Sequence, residues 1–331
     1  MTSPPLIFIH YGAPSYLPWV LKRARQLHPH KRIILLGEER NRHLVKGVAE
    51  FFYFEEFARG KELAHFEQVF QPIQGKDHHF TKQDGMDAWV KFVFRRWFLM
   101  AQFIKAQKIP AFWTFDSDTL LLKNLSLLEK EVSSYPCTMQ CRGRCLNGWI
   151  GSTELVDSYI RCINELFEDR DYLNKQKNNF KKEVGLAFTE MDAFTEFCHR
   201  KGVRPYHLAS GVDRGIFDDS LACLDGYEAA PQKILGKTEI KRLWRAPSGQ
   251  LYVKRIKDGK LLPLWSCNMS WMPDFFWKRL LKATHGVVCL QQTGSPTCKV
   301  PNLSTLKEIS LKTPFFTTLH RKVYRFLERY K

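Results

Sequence analysis

The chain has 331 residues, of which 44% are hydrophobic and 14% are aromatic. This composition can build one large α/β domain or two modest ones, and it excludes a largely disordered protein. The formal net charge of +17 at pH 7 predicts attraction to polyanions such as nucleic acid, anionic lipid or phosphorylated ligands.

Short apolar runs alternate with helical patterns near the N-terminus. A strand is predicted over Leu6–His10, and a helix over Tyr16–Leu27, where apolar residues recur three and four positions apart. Two further strands are predicted over Arg32–Leu36 and Phe51–Phe54. This alternation predicts an α/β fold with a mostly parallel sheet that is flanked by helices.

The N-terminal apolar run is only a few residues long, and no basic segment precedes it. We therefore interpret it as a strand and not as a secretion signal. No run approaches the ~18 apolar residues of a membrane span. The nine cysteines are irregularly spaced and odd in number, which favours reduced thiols. We expect a cytoplasmic protein, soluble or peripheral at the inner face of a membrane.

A loop over Gln71–Gly85 is predicted to precede a long helix over Met86–Gln107. That helix is apolar on most sides, yet it carries Lys91, Arg95 and Arg96.

Two carboxylates follow the next predicted strand, Ala111–Phe115. Asp116 and Asp118 stand only two residues apart, and like charges at that spacing repel each other unless a cation lies between them. Ligands of open α/β sheets bind beyond the carboxyl ends of the strands. The pair therefore predicts a site for a hard divalent cation, Mn²⁺ or Mg²⁺, which would bridge to a diphosphate.

The remaining elements extend the alternating pattern and then depart from it. We predict a strand over Cys137–Gln140, a turn over Asn147–Gly151 and a helix over Thr153–Phe167. A helix beginning at Glu190–His199 and a short strand over Arg204–Leu208 follow. No internal repeat is visible.

The C-terminal third reads differently. Ile240–Trp265 is predicted to form a β-meander, because Pro-Ser-Gly and Asp-Gly turns separate its apolar runs. The segment Pro314–Lys331 has the pattern of a basic amphipathic helix. That pattern fits a helix on an anionic membrane surface, and it equally fits an ordinary surface helix docked on the domain.

Several segments, in their order, carry a resemblance to a known family. FIHYGAPSYLPWVLKRARQLHP and IILLGEERN resemble a first strand, helix and second strand of a nucleotide-binding half, and FVFRRWFLMAQFI with FWTFDSDTLLLKN resembles the helix and strand of an Asp-x-Asp motif. LNGWIGS and TEMDAFTEF resemble the later segments around the sugar. Together they resemble A-type-fold (GT-A) nucleotide-sugar glycosyltransferases, and in particular bacterial relatives of the family-eight enzymes. The resemblance covers roughly residues 6 to 200.

The resemblance implies a GT-A-like, Rossmann-like fold with a C-terminal β-meander and a basic helix. With it we predict one domain over residues 1–300, with a nucleotide-sugar half to about 200 and an acceptor half after it. The residue pattern itself adds a basic tail over 301–331. The implied activity is transfer of a sugar from a nucleoside-diphosphate sugar to a carbohydrate or lipid-linked acceptor. The tail adds a possible contact with an anionic membrane.

The resemblance also implies roles for individual residues at the end of the first strand and at the carboxylate pair. Asp118 would be a direct metal ligand, and Asp116 would contact the ribose, the metal or both. The nucleoside pocket would be lined by His10, Tyr11 and Gly12.

Other implied roles concern the sugar and the diphosphate. Arg96 would project toward the nucleotide sugar, with Lys91 as a companion. Asn147 and Gly148 would lie under the transferred sugar, and Asp192 would face the sugar or the acceptor hydroxyl, where it would orient the acceptor or act as a base. An acceptor base would imply inversion and front-face transfer would imply retention; the family resemblance favours retention.

One departure from the family leaves an alternative open. Family-eight enzymes supply a third metal ligand through a His near the C-terminal end, whereas LWSCNMSWMPDFFWK contains no His, and His285-Gly286 lacks the following Lys. The chain could therefore be a catalytically idle GT-A domain that binds a nucleotide sugar or a membrane. Retained donor binding without transfer would distinguish that module from an enzyme.

Two other readings of the motifs are weaker. In a haloacid-dehalogenase phosphatase the first Asp would be the nucleophile, but Leu120 stands where that family has Thr. Cys137, Cys141 and Cys145 lack a fourth zinc ligand nearby, so neutral thiols are the better interpretation. No nucleic-acid-binding module is recognisable, and we expect no nucleic-acid partner.

Overall fold

The structure is a computed structural model that describes residues 3–75, 88–183, 186–210, 215–234, 238–270, 272–284 and 306–309. The chain divides into two compact units. The first comprises Met1–Ser220 and Leu264–Ser270, and the second comprises Leu221–Pro263 and Trp271–Lys331. The single domain predicted for residues 1–300, with a tail from 301, stays a prediction.

The described helices are α1 (Leu17–Leu27), α2 (Lys61–Val69), α3 (Ala88–Ala106), α4 (Glu129–Val132), α5 (Thr153–Glu168), α6 (Arg170–Phe180), α7 (Glu190–Lys201) and α8 (Asp274–Thr284). The described strands are β1 (Leu6–Ile9), β2 (Ile33–Gly37), β3 (Glu50–Tyr53), β4 (Phe112–Thr114), β5 (Thr119–Leu121), β6 (Cys137–Gln140), β7 (Cys145–Ile150), β8 (Tyr206–His207), β9 (Ile216–Phe217), β10 (Trp244–Arg245), β11 (Leu251–Lys254), β12 (Leu261–Asn268) and β13 (Lys307–Glu308).

A seven-stranded sheet with the order β3-β2-β1-β4-β7-β6-β8 forms the centre of the first unit. The strands β3, β2, β1 and β4 run parallel to one another. The strand β7 is antiparallel to both β4 and β6, and β8 is parallel to β6. This mostly parallel sheet with flanking helices confirms the predicted α/β architecture and is consistent with the GT-A-like fold.

The strands that the sequence predicts best are those buried on both faces. All four residues of β1 and all five of β2 are buried, as expected when helices cover both faces of a parallel sheet. The helix α1 carries Pro18 in its first turn, where the missing N–H has no helical partner to lose. Its buried Leu17, Leu21 and Ala24 lie on one face, as the spacing predicts.

Aromatic packing builds the core around α3. Phe66 stacks on Phe98 with ring centroids 4.8 Å apart, and Phe94 packs edge-on against Phe167 at 5.1 Å. The helix α2, which supplies Phe66, was not predicted, because it buries only two apolar residues in a polar segment. The helix α6 was missed as well: its sequence is mostly charged and amide side chains.

The turn predicted over Asn147–Gly151 is wrong. These residues lie mainly in β7, whose six residues are all buried, and Thr114 of β4 pairs with Gly148. The Asn-Gly pair suggested a turn, but Gly148 takes a positive φ of +94° inside the strand. There the side chain of Thr138 occupies the space that a Cβ would fill, so the glycine is needed for close strand packing and not for chain reversal.

The second unit contains the predicted β-meander. The strand β10 pairs antiparallel with β11, and β11 pairs antiparallel with residues 261–263 of β12. The strand β13 adds to the other side of β10. The predicted basic helix Pro314–Lys331, most of the predicted loop Gln71–Gly85 and the His285-Gly286 pair lie outside the described residues. Within the described residues, no helix is both long enough and apolar enough to cross a membrane.

Candidate functional site

The carboxylate pair lies in the tight connection from β4 to β5. The N–H of Thr119 donates to the carbonyl oxygen of Asp116 at 2.9 Å, which closes the turn directly after the buried strand. Since β4 is parallel to β1 and pairs with it, this turn lies at the carboxyl edge of the sheet, as predicted. Asp116, Ser117 and Asp118 are all half-buried there.

Arg96 of α3 bridges Asp116 to a second acid. Its Nη1 lies 2.6 Å from Oδ1 of Asp116, and its Nη2 lies 2.8 Å from Oε1 of Glu190 at the start of α7. Burial by itself lowers the pKa of Arg96, but the two carboxylates outweigh it and raise that pKa above its usual range. Burial raises the pKa of Glu190 to about 7, although Arg96 acts in the opposite direction. Arg96 therefore fixes Asp116 within a three-residue charge network.

Asp118 is held differently. The hydroxyl of Ser270 donates to its Oδ2 at 2.7 Å, and the N–H of Met269 donates to its carbonyl oxygen at 2.9 Å. Its Oδ1 is buried and has no hydrogen-bond partner within the described part of the chain. Burial and the neighbouring Asp116 raise the pKa of Asp118 to about 6. Among the described residues, Oδ1 of Asp118 is therefore a buried acceptor that no donor satisfies.

The residue between the two acids is held from the first strand and the first helix. Nδ1 of His10 and Oγ of Ser117 are hydrogen-bonded at 2.6 Å, and Tyr16 is also hydrogen-bonded to Ser117. Burial, with help from Arg40, lowers the pKa of His10 to about 4, so this imidazole is neutral at pH 7. His10 is thus placed against the Asp-x-Asp turn.

A cavity of about 390 Å³ lies beside the ends of β1, β2 and β3. Aromatic and charged side chains alternate around it, and its lining comprises Tyr11, Glu38, Glu39, Arg40, Tyr53, Phe54, Glu55, Ala88, Lys91, Phe92 and Arg95. The rings of Tyr11 and Phe92 are 5.1 Å apart, and those of Phe54 and Phe92 are 5.7 Å apart. A flat aromatic ligand with polar edges matches such a lining.

Gly12 closes the loop between β1 and this cavity. Its N–H donates to Oε2 of Glu38 at 2.6 Å, and its carbonyl oxygen accepts from Nδ2 of Asn41 at 2.8 Å. Gly12 has a φ of +98°, a conformation that favours glycine. The predicted trio of His10, Tyr11 and Gly12 therefore divides: Tyr11 lines the cavity, Gly12 anchors the loop, and His10 contacts the Asp-x-Asp turn.

Lys91 and Arg95 lie one helical turn apart on α3 and both line the cavity. Lys91 forms an ion pair with Glu67. Arg95 binds Glu55 with Nη1–Oε1 and Nη2–Oε2 distances of 2.7 and 2.8 Å. Lys91 therefore lines the cavity, whereas Arg96 contacts Asp116.

Asn147 contacts one acid of the carboxylate pair from within strand β7. Its Nδ2 donates to Oδ2 of Asp116 at 3.4 Å, and Sγ of Cys145 lies 3.9 Å from the same oxygen. Gly148, the next residue, sits against Thr138, whose hydroxyl donates to the carbonyl oxygen of Asn147 at 2.5 Å. Side chains of strand β7 therefore contact Oδ2 of Asp116, whereas Arg96 contacts Oδ1.

Gly148→Ala should destabilise the protein by about 2–4 kcal/mol, because the new Cβ would combine strained φ with overpacking. That Cβ would lie 2.3 Å from Oγ1 of Thr138 and 2.6 Å from Cδ1 of Leu208. Denaturant unfolding measures the change. The matched control is Gly47→Ala, which has a φ of +71° but no atom within 4 Å of the added Cβ, and should cost about 1 kcal/mol. Equal losses would show that packing around Gly148 is unimportant.

Asp192 lies on α7 and is engaged locally. Its carboxylate accepts from the N–H of Thr189 at 3.2 Å in a capping box and forms an ion pair with Arg144. The acid that reaches Arg96 is Glu190, which sequence analysis did not single out although it lies two residues earlier. The catalytic role of Asp192 stays a prediction.

The sequence also gave no signal for Ser270, which is more than 150 positions from Asp118 in the chain. Likewise, nothing in the segment around Tyr16 indicates a contact with Ser117. Such partners are found only when the chain is folded, because no periodicity or spacing connects residues so far apart.

The carboxylate pair fits a divalent cation. Within the described residues, no three His, Cys, Asp or Glu side chains converge as a complete metal cluster. Mg²⁺ and similar ions are commonly held by one or two carboxylates together with substrate phosphates and water. Burial and the charge of Asp116 raise the pKa of Asp118, and a cation shared by the two carboxylates would offset both effects.

Comparisons with known proteins gave limited similarity. No protein-family model matches the sequence, and no curated protein is significantly similar to it. Among solved structures, the PaToxG glycosyltransferase aligns over 60% of this chain and 70% of its own, with 10% identity and a TM-score of 0.36. The glycosyltransferase GlyE from Streptococcus pneumoniae TIGR4 aligns over 56% of this chain and 45% of its own, with 14% identity and a TM-score of 0.27. Neither similarity is high enough to assign an activity.

Proposed function

We propose that the protein is a metal-assisted glycosyltransferase that uses a nucleoside-diphosphate sugar. One arrangement carries the proposal: Arg96 pairs with Asp116, and among the described residues Oδ1 of Asp118 has no hydrogen-bond partner. Both acids follow β4 at the carboxyl edge of the sheet, and the aromatic and charged cavity lies at the ends of β1, β2 and β3 of the same sheet. A nucleoside, a diphosphate and a cation have the chemistry that these three features would bind.

In this proposal the base and ribose occupy the cavity. The rings of Tyr11 and Phe92 offer apolar faces to the base, and the charged groups around them offer partners to its polar edges. The diphosphate would then extend toward the carboxyl end of β4. Lys91 would add positive charge to the cavity, although it also pairs with Glu67.

Asp116 and Asp118 would hold Mn²⁺ or Mg²⁺, which when bound neutralises charge that develops on the leaving diphosphate. The chain's own residues prepare the site. Arg96 holds the Asp116 carboxylate in place, and Ser270 orients Asp118 by donating to its Oδ2 and not to its Oδ1. The neutral His10 and Tyr16 fix the turn through Ser117. Such preorganisation lowers the reorganisation needed during transfer.

Asn147 and Asp192 form the acceptor side of the site in this proposal. Asn147, whose Nδ2 donates to Asp116, would also hydrogen-bond the transferred sugar. Asp192 is the candidate to orient the acceptor, and it would have to exchange its ion pair with Arg144 for the acceptor hydroxyl. The acceptor class that we propose is a carbohydrate or a lipid-linked carbohydrate.

The test is donor hydrolysis and transfer across a panel of UDP-, GDP-, ADP- and CMP-sugars with and without Mn²⁺. We expect turnover of one donor, dependent on the metal. Isothermal titration with the same panel measures binding separately, so that catalysis and recognition are distinguished. Metal-independent turnover would contradict the role given to the two aspartates.

A second candidate function is a nucleotide-sugar-binding module without transfer activity. It is favoured by the fact that, within the described residues, the aspartates are not joined by a third metal-ligating side chain. Tight donor binding by the folded protein, with no turnover in the presence of candidate acceptors, would support the module and reject the enzyme.

A further inference from the structure

The loop Lys254–Lys260, which joins β11 to β12 and which we call the 254–260 loop, exposes an apolar side chain at its tip. Ile256 is 67% exposed, more than any other large hydrophobic residue described as exposed. The next is Leu127 at 56%. Isolated exposed apolar side chains are common, so exposure alone indicates nothing. The surroundings of Ile256 are what make it unusual.

Cationic residues surround Ile256 in the loop. Lys254, Arg255, Lys257 and Lys260 are four cations against the single carboxylate of Asp258. Arg255 binds that carboxylate with distances of 3.0 Å for Nε–Oδ1 and 2.5 Å for Nη2–Oδ2. Four cations against one carboxylate give the loop a formal charge of +3. The tip residues 256–259 are all exposed. The loop therefore combines one apolar tip with a positive rim.

The backbone of the loop is fixed by hydrogen bonds. The N–H of Ile256 donates to the carbonyl oxygen of Gly226 at 2.8 Å, and the N–H of Arg255 donates to that of Lys260 at 2.9 Å. The N–H of Lys260 also donates to Oδ1 of Asp258 at 3.2 Å. A loop held in this way presents Ile256 without the entropic cost of ordering a flexible segment on binding.

We propose that the 254–260 loop is a contact surface for an anionic lipid bilayer. The apolar tip would enter the interface between headgroups and acyl chains, and the lysines would meet lipid phosphates. The stem of Lys254 lies beside Gly259, since a Cβ on Gly259 would be 4.0 Å from its Cε. Lysine stems can cover apolar surface while their ammonium groups reach outward.

Charge complementarity is what selects a bilayer among the possible partners. A protein partner would more often meet a contiguous apolar patch, whereas here the cations adjoin a single apolar residue. A nucleic acid would use the cations but would gain nothing from Ile256. The net charge of +17 adds a longer-range attraction to any anionic surface. This inference does not depend on the proposed glycosyltransferase activity.

The test is sedimentation of the full chain with vesicles of phosphatidylcholine alone or with 30% (about one lipid in three) phosphatidylglycerol. We expect the anionic vesicles to bind the protein at least about tenfold more strongly, and the binding to weaken at high salt. Ile256→Ser should weaken it by about tenfold and Lys257→Gln by about fivefold. Both side chains are exposed, so neither substitution should change the unfolding midpoint.

The matched control is Leu127→Ser. Among the described large hydrophobic residues Leu127 is the most exposed after Ile256, and it lies in the first unit. This variant should bind as the wild type does. Absent binding of the wild type, or unchanged binding by both loop variants, would overturn the proposal. Weaker binding by Lys257→Gln together with unchanged binding by Ile256→Ser would also overturn it, and would point to a general polyanion surface such as one for nucleic acid.

Discussion

Arg96→Met should destabilise the protein by about 3–5 kcal/mol at pH 7, because it removes the cation between the buried carboxylate of Glu190 and the half-buried carboxylate of Asp116. The Arg96 side chain is 12% exposed, that of Glu190 is 9% exposed and that of Asp116 is 27% exposed. Methionine keeps the length of the stem, so the loss reports the charge and its hydrogen bonds more than packing. Urea unfolding measures the change in free energy.

The Arg96→Met variant keeps Asp116 and Glu190 but lacks the cation between them, and this determines the pH dependence of its stability. Burial already raises the pKa of Glu190 to about 7. A carboxyl whose pKa is raised in the folded state contributes stability at low pH and loses that contribution as pH rises. The destabilisation should therefore shrink as pH falls from 7 toward 5. Adding Glu190→Gln to the variant should recover part of the loss at pH 7.

Arg95→Met is the control for the Arg96 prediction, since it changes the neighbouring residue of the same helix. Arg95 is 20% exposed and its partner Glu55 is 37% exposed, so water can replace the lost contacts. We expect a loss of about 1 kcal/mol. Equal losses for the two variants would contradict the importance given to burial.

Asp118→Asn should have opposite effects on stability and on metal binding. Burial and Asp116 raise the pKa of Asp118 to about 6, above its ordinary value of 3.8. The stabilising contribution of the protonated form is therefore complete below about pH 4 and lost as pH rises through 6. At pH 8, without metal, the variant should be more stable than the wild type by about 1–3 kcal/mol, and this difference should vanish near pH 4.

Metal should reverse the order for Asp118. We expect Mn²⁺ to raise the unfolding temperature of the wild type and not of Asp118→Asn, because only the wild type keeps the charged Oδ1 available. Donor turnover in the variant should fall by about 100-fold or more. Asp171→Asn, an exposed acid on α6, is the control and should change neither quantity. Equal stabilisation of the variant by Mn²⁺ would remove Asp118 from the metal site.

Much of the fold follows from the sequence because local patterns fix it. The runs that became β1 and β2 are apolar throughout, and β4 is apolar except for Thr114, as expected for strands that are buried on both faces. The spacing of apolar residues in α1 and the length of the α3 segment were sufficient to predict both helices. The polar helices α2 and α6 were missed, because their few buried residues are recognised only against the core they cover.

At the site, the sequence by itself determined that two carboxylates follow a buried strand and that Arg96 precedes them on an apolar helix. Only the tertiary structure decided their partners: Glu190 completes the network at Arg96, Ser270 binds Asp118, and Asn147 reaches Asp116 from inside a strand. Hydrogen bonds between residues distant in the chain depend on how strands and helices pack. Local sequence patterns carry the periodicity of single elements and not the pairing between them.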